Sequence, residues 1–146
     1  MRSRGYGGTT GDRAGVVPLM RLPISGWTVR IGRAAADRAA LEVYEGRRLT
    51  DVCVATPVSV SVLRGAWRNP RGGPGWALAW GQLPAGVSTV TAEFTGSGRT
   101  PVISRVPAVI LEHTYWVAEA SGDFAGVIVH AGPALVSGRL RRARGR

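Results

Sequence analysis

The sequence predicts an all-β fold: a single antiparallel β-sandwich of about nine short strands over residues 26–138, between two flexible arms. Three observations carry this. Apolar residues recur at every second position along most of the chain, the period of strands that bury one face. Glycine, proline and other turn residues interrupt these runs at intervals of roughly 8–12 residues. No stretch repeats apolar residues every three to four positions, as an amphipathic helix would.

Residues 1–25 show no sustained period. "RSRGYGGTTGDRAG" is polar and glycine-rich and reads as a mobile arm. "VVPLMRLPI" reads as an irregular strand docked on the body, its prolines keeping it out of a sheet centre. The regular pattern begins where Trp27, Val29 and Ile31 alternate with Thr28 and Arg30. "GRAAADRA" has alanines but no apolar stripe and reads as a loop or brief turn. Leu41 and Val43 then alternate with Glu42 and Tyr44, and "EGRR" turns the chain. "DVCVATPVSVSVL" places valines at even spacing with Pro57 midway, which gives one bent strand or two. "RGAWRNPRGGPG", residues 64–75, reads as the longest loop of the body. Trp76, Leu78 and Trp80 alternate with Ala77 and Ala79 and are expected to anchor the core. Val90, Ala92 and Phe94 alternate with Thr91, Glu93 and Thr95. "GSG" at 96–98 suits a hairpin turn into "RTPVISRV", because glycine readily takes positive φ. Further strands are expected at about 108–112, 115–120 and 126–131, with "LVSGRL" as the last.

Length and composition limit what these strands can build. A chain of 146 residues suffices for one domain with a sizeable core. Hydrophobic residues at 45% against charged residues at 19% describe a folded globular chain. There is no apolar run of about 18 residues, so no membrane-spanning segment is expected. The first 25 residues lack the apolar stretch of a signal peptide. Cys53 is the single cysteine, so no internal disulfide can form. That fits a reducing compartment, and the expected location is cytoplasmic.

The formal charge is +10, and all 19 basic residues are arginine. A GC-rich coding bias yields a lysine-free chain without any selection on binding. Seven arginines lie at the ends: Arg2, Arg4, Arg139, Arg141, Arg142, Arg144 and Arg146. Without them 12 arginines face 9 acids, so residues 5–138 carry about +3 and the body is nearly balanced.

Residues 76–136 carry "WALAWGQLPAGVSTVTAEF", "GRTPV", "YWVAEASG" and "FAGVIVHAGPALV". This rhythm of strand and turn resembles immunoglobulin-like sandwich modules, among them accessory modules of bacterial proteins. The resemblance implies a compact sandwich and no catalysis, and it transfers no functional residue. Antibody-type domains set two cysteines around a tryptophan, whereas Cys53 has no partner.

No pair of acids, nucleophile motif or metal-ligand spacing stands out, so no catalytic residue, cofactor or metal is assigned. His113 and His130 lie 17 positions apart with no CxxC or HxxxH pattern near them. Cys53, between Val52 and Val54, reads as a small core residue. "GSGRT" fails as a phosphate loop: Glu93 stands where the first glycine belongs and Arg99 where lysine belongs. Trp67 is different, because it lies in the 64–75 segment between Arg64 and Arg68. It either plugs one end of the sandwich or stacks on a partner. Tyr115 and Trp116 point to opposite faces of their strand, which would put one of them outside beside Trp67. The expected function is therefore a non-catalytic interaction module. Trp67, Arg64, Arg68 and Tyr115 would bind a protein or a saccharide-like partner. The alternative is an accessory, non-specific nucleic-acid binder, using Arg139, Arg141, Arg142, Arg144 and Arg146 on phosphate.

Overall fold

The computed structural model describes residues 19–33, 37–99 and 102–145. Among them are thirteen strands and no α-helix. The all-β expectation holds, but the strands make three sheets, not the two of a simple sandwich. A front sheet is an antiparallel meander of β1 (Met20–Arg21), β2 (Thr28–Arg33), β3 (Ala39–Glu45) and β4 (Arg48–Val54). A central sheet contains β5 (Gly65–Arg68), β6 (Trp76–Gln82), β9 (Val109–Leu111), β10 (Tyr115–Ser121) and β13 (Arg141–Arg142). Its order is β13-β5-β6-β10-β9, with only the β13–β5 pair parallel. A back sheet has the order β12-β11-β7-β8, built from β7 (Thr91–Thr95), β8 (Ile103–Pro107), β11 (Gly126–Ala131) and β12 (Ala134–Arg139).

The third layer follows from what β6 and β10 carry. Every residue of β6 is buried, which a strand with one wet face would not allow. Large side chains point forward: Trp76, Leu78 and Trp80 of β6, with Tyr115 and Val117 of β10, pack on Trp27, Val29, Ile31, Leu41, Val43 and Cys53. Small ones point back: Ala77 and Ala79, with Ala118 and Ala120, meet Ala92, Phe94, Val127 and Val129 of the back sheet. The alternation of tryptophan with alanine on β6 thus serves two cores from one strand, and Trp116 of β10 fills the back one.

Central and back sheets are joined at both edges by the chain itself. At one edge β8 passes through Ala108 into β9, and at the other β12 passes through Leu140 into β13. Residues 139–145 are therefore a packed strap and not a projecting tail. Leu140 and Ala143 are buried, and the Ala143 amide donates to the Arg68 carbonyl at 2.8 Å.

Other expectations shift in detail. The 55–64 stretch after β4 forms no strand, because Pro57 and the need to cross from the front to the central sheet break the pattern. The 64–75 segment is a loop only from Asn69 onward, since Gly65–Arg68 pairs with β6. The buried Asn69 side chain shapes that loop, donating to the Pro70 and Gly73 carbonyls and accepting from the Trp76 amide. At the other end of the chain Leu22 is buried and Met20–Arg21 pairs with β2, so the ordered body begins before residue 26. The rest of the expected N-terminal arm, residues 1–18, lies outside the described residues.

Candidate functional site

The front sheet has four strands and the central sheet five, and this mismatch positions the site. β4 is the edge strand of the front sheet. β5 and β13 are the last two strands at one end of the central sheet. A groove of about 420 Å³ lies there, lined by Thr50 and Asp51 of β4, Leu63–Trp67, Trp80, Gly138, Arg139 and Arg141.

Asp51 organises one wall. It shares the inward face of β4 with Cys53, and its side chain is only 16% exposed. Such a carboxylate needs partners, and it has two. The Arg64 guanidinium donates Nε to Oδ2 and Nη2 to Oδ1, both at 3.1 Å, and Trp80 donates Nε1 to Oδ2 at 2.9 Å. The hydrogen bonds to Asp51, then its charge, push the Arg64 pKa up, so this cation is permanent. Gly65 permits the arrangement. A Cβ on it would stand 2.2 Å from the Trp80 ring, so only glycine lets the indole lie across this backbone and reach Asp51.

Trp67 lies two residues further along the same face of β5 and is half-buried. Its ring packs on Trp27 at 5.8 Å between centroids, and Trp27 also meets Trp76 and Trp80. Arg141 pairs with Trp67 in the parallel β13–β5 ladder, and its guanidinium sits 6.0 Å above the Trp67 ring. Arg139 adds a third guanidinium from the end of β12. Among the described residues neither Arg139 nor Arg141 has a carboxylate within 4.0 Å, and Asp51 is the only acid lining the groove. A second depression of about 530 Å³ lies at the β3–β4 turn, lined by Glu45, Gly46, Arg47, Arg48 and Gly145.

The residues expected from sequence for a partner and for nucleic acid therefore meet. Trp67 and Arg64 share one groove with Arg139 and Arg141. Arg68 does not join them, because it points to the other face of β5. Its Nη1 donates to the Phe124 carbonyl at 3.3 Å, and its Nε is buried without a partner. Arg142 lies on that same side and donates to the Asn69 carbonyl. Arg144 is exposed beyond β13, and Arg146 lies outside the described residues.

The aromatic patch expected beside Trp67 does not form. Tyr115 and Trp116 are both 0% exposed, because β10 is an inner strand of the middle layer. The Tyr115 hydroxyl donates to the Ala39 carbonyl and accepts from the Ala55 amide, tying the central to the front sheet. Trp116 Nε1 donates to the Val62 carbonyl at 2.7 Å.

Cys53, His113 and His130 are dispersed. Cys53 is in the front core, His113 is in the exposed turn between β9 and β10, and His130 faces outward from the back sheet against Glu93 at 3.1 Å. Sequence reasoning passed over Asp51 and Trp80 as site residues. The signal was there: an acid on the same strand face as a core cysteine has to be paired by something. The chain matches no known family model, no curated protein and no solved structure.

Proposed function

We propose that the chain is a non-catalytic interaction module that binds a protein partner at the groove around Trp67, in a cytoplasmic setting. The observation carrying this reading is the convergence of Trp67, Arg64, Arg139 and Arg141 on one open groove that holds a single carboxylate. An aromatic anchor with arginines beside it, Arg139 and Arg141 having no carboxylate partner among the described residues, is the usual composition of an energetic interface centre. Between the two partner classes expected from sequence, the groove suits protein better. A sugar needs a free aromatic face, whereas Trp67 packs on Trp27 and carries Arg141 above its ring. For residues 76–136 we also infer an immunoglobulin-like sandwich, supported by the two facing sheets to which β6–β12 belong.

Nucleic-acid binding is the second reading. It is favoured by the exposure of Arg139, Arg141, Arg142 and Arg144 along one ordered segment. A competition experiment separates the two. A glutamate-rich peptide and a single-stranded DNA of equal charge are titrated onto the chain and onto an R139A/R141A double variant at two salt concentrations. The protein-partner reading expects the peptide to bind about tenfold less tightly to the variant, about 1.4 kcal/mol, and DNA to bind no better than peptide. If DNA displaces the peptide and its affinity falls steeply with salt, the second reading replaces the first. If the double variant binds peptide as the parent does, the groove is not the site.

A further inference from the structure

The groove has the position and chemistry of a missing strand. β4 is the seven-residue edge of the front sheet, and among the described residues no strand pairs with its outer side. No backbone group of Arg48–Val54 hydrogen-bonds to anything described outside its ladder with β3. An edge strand leaves alternate N–H and C=O groups directed outward, a ready template for another extended segment. Its protections are partial: β4 carries a bulge at Thr50 and the inward Asp51, but it contains neither proline nor lysine, and two of its apolar side chains, Leu49 and Val52, are 49% and 38% exposed. A strand added to β4 would lie about 4.8 Å beyond it, next to the groove that Thr50 and Asp51 of β4 line together with Trp67, Arg64, Arg139 and Arg141.

The charge of the walls selects the occupant. The second depression lies at the β3–β4 turn, and Arg48, which lines it, is three residues along β4 from Asp51, about 10 Å of strand. Together the two depressions present Arg47, Arg48, Arg64, Arg139 and Arg141 against Glu45 and Asp51. Asp51 is already held by Arg64, and Glu45 accepts from the Gly145 amide. We propose that the occupant is an extended acidic segment of a protein partner, added antiparallel or parallel to the free edge of β4. Its backbone pairs with β4 and its inward carboxylates meet Arg64, Arg139 and Arg141. This is strand addition, with pairing supplying affinity and side-chain pockets supplying selection. It rests on the protein-partner reading of the groove. A second copy of the chain pairing through its own β4 would bring Arg47 and Arg48 toward the same arginines. Residues 1–18 offer three arginines against Asp12. Neither complements the groove.

The test uses a heptapeptide of alternating Glu and Thr, the same peptide N-methylated at alternate positions, and a Lys–Thr control. Binding is followed by amide hydrogen exchange on the full chain. Strand addition expects the Glu–Thr peptide alone to slow alternate amides of Arg48–Val54, by about tenfold when roughly nine-tenths of the protein is bound. N-methylation keeps the charge and removes the pairing, so it should abolish both the protection and most of the binding. If the methylated peptide binds equally well, or β4 amides exchange unchanged while R139A/R141A still weakens binding, strand addition is wrong and the groove reading survives. If Glu–Thr binding ignores R139A/R141A, both are wrong. If the Lys–Thr peptide protects β4 equally, the acidic choice is wrong.

Discussion

At Gly65, Tyr115 and Cys53, single residues decide how the front and central layers fit together. A Gly65→Ala change forces the Trp80 indole off the backbone and away from Asp51. It should cost about 1–3 kcal/mol by overpacking, readable as a lowered urea midpoint, and should leave Arg64 as the remaining partner of Asp51. Tyr115→Phe leaves the Ala39 carbonyl and Ala55 amide without their partner. The expected loss is about 1–3 kcal/mol of stability, with peptide binding unchanged, as befits a residue that joins layers. Burial pushes the Cys53 thiol above its ordinary 9.0 and the Tyr115 hydroxyl above its ordinary 10.0. Both groups stay neutral in the fold at pH values where the unfolded chain ionises them. Their contribution is intact below those ordinary values and is lost as pH rises past them toward the folded-state values. Thermal midpoints across that range should fall, and less steeply in Cys53→Ala. Trp67 was legible as unusual because arginines flank it on both sides. Tyr115 was not, because alternation tells which face a residue takes but not whether both faces are covered.

The strands explain why most of the fold could be read and the third layer could not. Period-two alternation located β2, β3, β6, β7, β10 and β11, since each has a dominant apolar face. The Trp–Ala alternation of β6 satisfies the same rule, yet the alanine face is apolar too, and only its burial against the back sheet reveals a second core. The strap was hidden for a different reason. In "RLRRARGR" the two buried residues, Leu140 and Ala143, are outweighed by charge in any window. Its removal should therefore behave as loss of core. Truncation after Arg139 exposes what Leu140 and Ala143 cover and frees the edge of β5, which should cost about 2–4 kcal/mol. Truncation also takes away Arg141, so lost binding in that variant would report a damaged groove wall. Point changes at Arg139 and Arg141 are the cleaner probe.

For the whole molecule, charge and architecture meet at one seam. Residues 5–138 are nearly balanced in sequence, but folding brings Arg47, Arg48 and Arg64 from the body beside Arg139 and Arg141 from the strap. The positive field thus arises from the unequal widths of the front and central sheets as much as from composition. The outer face of the back sheet offers a contrasting surface, where Leu135 and Ile103 are exposed around the Glu93, His130 and Arg105 cluster. Which of these two surfaces a partner chooses is therefore decisive. The most direct measurement is a two-dimensional amide and indole spectrum of the full chain during titration with the glutamate-rich peptide. Shifts concentrated at Asp51, Arg64, Trp67, Arg139 and Arg141, with the Trp67 and Trp80 indole signals moving, are the predicted result. Shifts centred on Leu135, His130 and Ile103, or no saturable shifts in the groove, would contradict it.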